Sequence, residues 1–83
     1  LVNRCVPADA FEATVRELAT RLANGPTVAY RLIKEQLYRS ADSDMATALR
    51  IEGELQDIAI NTADHREAVT AFLGKRPPHY EGR

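Results

Sequence analysis

The sequence predicts an all-α fold of three to four helices, preceded by a short extended lead-in. Apolar residues recur every three or four positions along most of the chain, which is the spacing of one helical face. Turn and capping residues interrupt this pattern where one helix ends and the next begins. The predicted helices span about residues 9–24, 27–41, 44–61 and 63–74. We therefore expect residues 1–83 to form a single small helical domain.

The composition narrows the classes of partner and compartment. The net charge of −1 gives no general attraction to nucleic acid or to an anionic membrane surface. The single cysteine, Cys5, excludes an internal disulfide and implies no oxidising compartment. No apolar run approaches the roughly 20 residues that span a bilayer, and no signal-peptide pattern is present. We expect a cytoplasmic protein without a nucleic-acid or membrane partner.

The chain starts with an extended segment and a first amphipathic helix. Residues 1–7 form the lead-in, which Pro7 ends, and no second strand is predicted to pair with it. We therefore expect the lead-in to connect to a catalytic or structural core that lies outside this chain. The chain also lacks an initiator methionine, which fits a fragment of a longer protein. The first helix begins near Asp9 and stops at the Asn-Gly-Pro sequence of residues 24–26. Its apolar face consists of Phe11, Val15, Leu18 and Leu22.

The second helix has one apolar and one charged face. The charged face is partly basic and carries Tyr38, so a nucleic-acid surface is one interpretation. Glu35 interrupts this face and the chain is not basic overall, so we favour an ordinary solvated face. The predicted apolar stripe consists of Ala29, Ile33, Leu37 and Ala41, with Tyr30 at its edge.

The third helix, capped by the turn at residues 42–44, is apolar over more than one ordinary stripe. A helix this broadly apolar needs cover from two sides, and the two preceding helices can supply one. We therefore expect self-association. Glu52 and Gln56 also fall within the apolar arc. They either make polar contacts across an interface or lie hydrated at the rim of the arc, and both interpretations stay open. The apolar residues of the arc are Met45, Ala48, Leu49, Ile51, Leu55, Ile58, Ala59 and Ile60.

The fourth helix has its own start and stop signals. Thr62 or Asp64 can cap it, and Asp64 with Glu67 has the spacing of a capping box. Gly74 can end the helix, and the two prolines that follow forbid its continuation. The tail of residues 76–83 is predicted to be extended or flexible.

Phe72 and Lys75, near the end of this helix, are the candidate ligand contacts. An aromatic side chain can line the site of an apolar group, and an ammonium can bind a phosphate. The alternative is structural, with Phe72 in the core and Lys75 as a cation at the helix C-terminus, and the residues alone favour it. Cys5, His65 and His79 form no defensible nucleophile dyad or metal-ligand cluster. We predict no catalytic and no metal-binding residue in this chain.

The same stretch carries a resemblance to a known family. An acidic-His-Arg-Glu sequence at residues 64–67 is followed by Ala-Phe-x-x-Lys-Arg-x-Pro at residues 71–78. This ending resembles the C-terminus of the crotonase family, the enoyl-CoA hydratases and isomerases. Residues 1–7 resemble the family segment that leaves the catalytic core, and Gly25-Pro26 followed by Lys34 resembles the start of the next family helix. The resemblance covers essentially the whole chain.

The resemblance implies a C-terminal helical segment of an enzyme that acts on acyl-CoA thioesters. The family's oxyanion hole and catalytic carboxylates would then lie upstream of Leu1, so the isolated chain should be inactive. It implies a homo-oligomer, a trimer or a dimer of trimers, in which Phe72 and Lys75 complete the CoA site of a neighbouring subunit. Coenzyme A enters as part of the substrate, and no separate cofactor is implied.

Two other classes fit the sequence less well. The broadly apolar third helix would also suit a free-standing protein-interaction module. An acyl carrier domain has a similar length and an Asp-Ser sequence before a helix, here Asp42-Ser43. Asp44 follows this serine where carriers have an apolar residue, and the chain is nearly neutral where carriers are strongly acidic.

Overall fold

The computed structural model describes all residues from Leu1 to Arg83, and it is helical throughout with no strand. The all-α prediction is therefore confirmed, and the predicted helix ends agree with the observed ones to within two residues. Pro7 is followed by a single 3-10 turn, and the last residues are extended. The elements are the 3-10 turn Ala8–Ala10 and the helices α1 (Phe11–Ala23), α2 (Thr27–Ser40), α3 (Met45–Ile60) and α4 (Ala63–Leu73).

The main core cluster is a seam between α2 and α3. Leu32 of α2 packs with Ile51 and Leu55 of α3, and each of the three side chains is nearly inaccessible to solvent. Val28 and Ala59 extend the seam at its edge. An ion pair also links the two helices at the solvent-exposed edge of the seam, where Arg39 of α2 lies 3.4 Å from the Glu54 carboxylate of α3. Arg39 forms a second ion pair with Glu35 on its own helix.

The predicted stripe of α2 is wrong by one helical position. Ile33 and Leu37 are exposed, at 55% and 68%, while their neighbour Leu32 is buried. Two apolar stripes run along α2, and α3 packs against the stripe that contains Val28 and Leu32. Periodicity within one helix cannot choose between two such phases, because the choice depends on the surface that packs against them.

Helix α1 contributes nothing to this core. Its apolar side chains remain 41–61% exposed, and its main contacts are with the 3-10 turn that precedes it. The lead-in runs beside it, so that Cys5, Val6 and Phe11 border one groove. The expectation that both preceding helices would cover one side of α3 is therefore wrong, since α2 alone does so.

The second apolar face of α3 is uncovered. Its side chains range from 41% to 74% exposed, and Glu52 and Gln56 are exposed beside them. None of the helices is both long and apolar enough to cross a membrane. The exposed side chains of the uncovered face of α3 are Met45, Leu49 and Ile60, whereas Ile58 is exposed on the opposite side of the helix.

The resulting shape is open. The radius of gyration is 16.2 Å, compared with about 12 Å for a compact chain of this length. The accessible surface is 6849 Å², where a compact monomer of this mass would expose about 4,900 Å². The excess is about twice the roughly 800 Å² that each partner buries in a standard protein interface. The chain thus exposes far more surface than a compact monomer of its mass.

We expect the chain to self-associate in solution through the uncovered face of α3. Replacing Leu49 and Ile60 together by glutamine removes apolar surface that drives association and should shift the chain towards the monomer with its helicity unchanged. Glu52→Gln on the same helix is the control and should not. Light scattering coupled to size exclusion measures the mass. A monomeric wild-type chain at high concentration would contradict the expectation.

Candidate functional site

Helix α4 begins with a threonine cap. The Thr62 Oγ1 atom accepts a hydrogen bond from the His65 N–H at 3.0 Å and donates one to the Ala59 carbonyl at 2.8 Å. Thr62 is therefore the N-cap, one of the two residues that the sequence allowed. The predicted capping box of Asp64 and Glu67 is wrong, because both carboxylates bind the tail instead.

Asp64 is buried, with only 3% of the residue exposed. Its Oδ1 atom accepts the Glu81 N–H at 2.7 Å and its Oδ2 atom accepts the Gly82 N–H at 3.0 Å. Its own N–H donates to the Arg83 carbonyl at 3.0 Å. A buried carboxylate needs such partners to offset its lost hydration, and a position in the first turn of a helix favours its negative charge. Asp64 thus fixes the end of the tail.

Glu67, one turn further along α4, holds the start of the tail. Its two carboxylate oxygens accept the two Arg76 Nη groups at 2.6 and 2.8 Å, and Oε1 also accepts the His79 N–H at 2.8 Å. Paired hydrogen bonds of this kind are among the strongest that side chains make. The Arg76 hydrogen bond, followed by that of the His79 N–H, lowers the pKa of Glu67 to about 2. The same pair raises the pKa of Arg76.

Residues 76–83, which we call the strap, therefore run back along α4 from its end to its start. Tyr80 is half-buried and lines a small cavity between the strap and helices α2, α3 and α4. Gly82 has a φ of 74°, in the left-handed region, and a Cβ atom there would lie 2.7 Å from the Thr27 Oγ1 atom. The sequence predicted an extended or flexible end. The strap is extended, and its hydrogen bonds to Asp64 and Glu67 give it a defined path.

The end of α4 is a tight reversal that places Lys75 in an uncommon conformation. The Lys75 N–H donates to the Phe72 carbonyl at 3.1 Å, and the Arg76 N–H donates to the Ala71 carbonyl at 3.0 Å. This pair of bonds defines a Schellman motif, whose left-handed position is usually glycine. Here Gly74 has a φ of −79° and Lys75 has a φ of 50°. The left-handed conformation costs a non-glycine residue about 1–2 kcal/mol.

Phe72 and Lys75 both lie on the surface of this chain. Phe72 is 82% exposed, so it is not part of the chain's own core. Lys75 is exposed and takes part in none of the ion pairs of the chain. Phe72 also borders an open, mostly apolar groove of about 500 Å³, which Pro78 and Tyr80 of the strap line on the other side. The end of α4 therefore presents an aromatic ring and a free cation to whatever lies next to it.

The structure places no other reactive group beside these two residues. No three His, Cys, Asp or Glu side chains converge in a way that could hold a metal ion. Cys5 is exposed at the other end of the chain. The site that sequence reasoning missed is the strap and its two acidic anchors, although the one-turn spacing of Asp64 and Glu67 placed both on one face of α4.

Fold and site together define an open helical chain with uncovered apolar faces and with an aromatic ring and a cation exposed at the end of α4. Known proteins identify the family. The family model of enoyl-CoA hydratase/isomerase matches residues 1–83, so the chain belongs to the enoyl-CoA hydratase/isomerase family. The family resemblance read from the sequence is confirmed.

Relatives from several bacteria match the whole chain. A probable enoyl-CoA hydratase of Rhodobacter capsulatus is 39% identical over all 83 residues, and the 1,2-epoxyphenylacetyl-CoA isomerase of Escherichia coli is 34% identical. A crystal structure of an enoyl-CoA hydratase from Geobacillus kaustophilus superimposes with a TM-score of 0.90 at 36% identity, covering 99% of this chain and 31% of that one. The chain spans about a third of the length of these relatives, 32% for each of the two curated proteins.

The left-handed lysine leads to a stability prediction. Lys75→Gly should stabilise the chain by about 0.5–1 kcal/mol, because relief of the backbone strain exceeds the extra entropy that glycine loses on folding. Lys75→Ala should give no such gain. Lys34→Gly, in the middle of α2, is the control and should destabilise by about 1 kcal/mol. Urea unfolding followed by circular dichroism measures all three. A loss of stability in Lys75→Gly would show that Lys75 is not strained.

The Glu67 carboxylate leads to a pH prediction. Its pKa of about 2 lies below the ordinary 4.5, so the ion pair contributes its full stabilisation above about pH 4.5 and loses it as the pH falls towards 2. A carbon-detected NMR titration should show Glu67 titrating near pH 2 in the wild type. In Arg76→Gln the pKa should move up towards 4.5. A wild-type Glu67 that already titrates near 4.5 would show that the strap is not held in solution.

Proposed function

We propose that this chain is the C-terminal helical segment of an enzyme that acts on acyl-CoA thioesters. In this role it joins subunits of the oligomer and completes the CoA site of a neighbouring subunit with Phe72 and Lys75. The observation that carries the proposal is the pairing of an exposed aromatic ring with an unpaired cation at the end of α4. The full-length match to a family whose members are about three times longer supports the place of the segment within a larger enzyme.

The chemistry of the ligand fits the two side chains. An acyl-CoA has an apolar acyl chain and an anionic nucleotide end that carries phosphates. Phe72 can pack against the apolar part, since its ring is open to solvent and its neighbours Val69 and Leu73 are apolar and exposed. Lys75 can bind a phosphate as a point charge without first breaking an ion pair. Neither residue moves a proton in the reaction, so their contribution is binding and orientation.

The oligomer follows from the uncovered surface. The exposed face of α3 and the exposed stripe of α1 need protein cover that this chain does not provide. In the proposed enzyme the stripe of α1 and the lead-in pack against the catalytic core, and the face of α3 meets neighbouring subunits of a trimer or a dimer of trimers. A cytoplasmic location is part of the proposal and is supported by the single, unpaired Cys5.

The proposal predicts that the isolated chain has no hydratase activity. The two carboxylates of α4 are already engaged, since the buried Asp64 and the ion-paired Glu67 hold the strap. Hydration of crotonyl-CoA by the purified chain should equal the buffer background. Turnover that a point substitution in this chain abolishes would contradict the prediction.

The contact residues are tested in the full-length protein that carries this segment. Lys75→Ala should weaken coenzyme A binding about fivefold, as expected for the loss of one partly exposed charge pair of roughly 1 kcal/mol. Phe72→Ala should raise KM for acyl-CoA thioesters and leave kcat nearly unchanged, because it removes binding that substrate and transition state share. Lys34→Ala, an exposed lysine on α2, is the control for both. Calorimetry and steady-state kinetics measure the effects. Unchanged binding in Lys75→Ala would contradict the proposed CoA contact.

A further inference from the structure

The strap and the left-handed residue meet at one point of the chain. Lys75 lies directly between Gly74, which ends α4, and Arg76, the first residue of the strap. Arg76 is fixed twice, since its N–H binds the Ala71 carbonyl at 3.0 Å and its guanidinium binds Glu67 at 2.6 and 2.8 Å. Both neighbours of Lys75 are therefore held, one by the helix and one by the acidic anchor.

This bracketing explains how a lysine stays in a conformation that it disfavours. A non-glycine residue adopts a left-handed backbone only where the surrounding structure imposes it. The φ and ψ angles of a residue also set the direction in which its side chain leaves the backbone. If Arg76 were released, Lys75 could return to the right-handed region, and its ammonium would then start from a different direction.

We propose that Glu67 is a positioning residue for Lys75. Through its paired hydrogen bonds with Arg76, it holds Lys75 in the left-handed conformation from which the ammonium reaches the anionic part of the CoA ligand. Glu67 needs no contact of its own with the ligand in this role. The inference rests on the proposed function, because it assumes that Lys75 binds the ligand.

The remaining contacts of the strap agree with this role. Glu67 also accepts the His79 N–H at 2.8 Å, so it holds the strap at two residues on either side of the rigid Pro77-Pro78 pair. Asp64 holds the far end through the Glu81 and Gly82 N–H groups. The strap is thus tied along its length, and the tie nearest to Lys75 is Glu67.

The test is a double-mutant cycle in the full-length protein, with coenzyme A as the probe. The dissociation constant is measured by calorimetry for the wild type, Glu67→Gln, Lys75→Ala and the double variant. Each single variant should bind coenzyme A several-fold more weakly. The double variant should bind no more weakly than Lys75→Ala, because Glu67 acts only through Lys75. Glu12→Gln, which breaks an exposed ion pair with Arg16 on α1, is the control and should leave binding unchanged.

The outcomes distinguish the positioning role of Glu67 from the proposed coenzyme A contact of Lys75. Unchanged binding in Lys75→Ala overturns the proposed function and this inference with it. Weaker binding in Lys75→Ala together with unchanged binding in Glu67→Gln overturns the inference alone. Additive losses also overturn it, because Glu67 would then act independently of Lys75.

A second variant covers the case in which Glu67→Gln does not fold. Arg76→Lys keeps the positive charge but cannot form the two parallel hydrogen bonds of a guanidinium. It should also weaken coenzyme A binding, and that loss should disappear in the Lys75→Ala background. A loss that persists there would contradict the positioning role.

Discussion

The arrangement at the end of this chain depends on a buried carboxylate. Asp64 is almost inaccessible, and the backbone N–H groups of Glu81 and Gly82 satisfy it. A buried carboxylate without partners would be costly, so the strap has to return along α4 to reach it. Once the strap is tied there and at Glu67, the reversal after α4 is fixed at both ends. The left-handed backbone of Lys75 is part of that reversal.

In the rest of the molecule, most apolar side chains are exposed because no other part of the chain packs against them. One seam, where Leu32 meets Ile51 and Leu55, is the main cluster of buried apolar side chains, and Ala71 of α4 is the one other buried apolar residue. The remaining apolar faces are exposed, and the accessible surface of 6849 Å² is far above that of a compact monomer of this size. Two relatives that the chain matches over its whole length are about three times longer, and we propose that these faces pack against the rest of such an enzyme. The strap thus orders the end of α4, while the apolar faces of α1 and α3 stay open.

The sequence predicted local features well and long-range ones poorly. The helix ends were predictable, because the stop at residues 24–26 and the Thr62 cap act through neighbouring residues. The choice of Leu32 over Ile33 for the core was not, since it depends on how α3 packs against α2. The partners of Asp64 lie 17 and 18 residues away in the strap, and nothing in local spacing indicates them. Lys75 was predicted as a surface cation, but its left-handed backbone was not, because the adjacent Gly74 is the residue that normally takes that conformation.

Acidic side chains of α4 hold the strap in place, and hydrogen exchange tests this arrangement most directly. We predict slow exchange of the Glu81 and Gly82 amides in the wild type, because the buried Asp64 carboxylate accepts both N–H groups. Asp64→Asn should make both amides exchange quickly, while the amides of α1 keep their rates. Exchange of Glu81 and Gly82 at the rate of an unstructured peptide in the wild type would contradict the account.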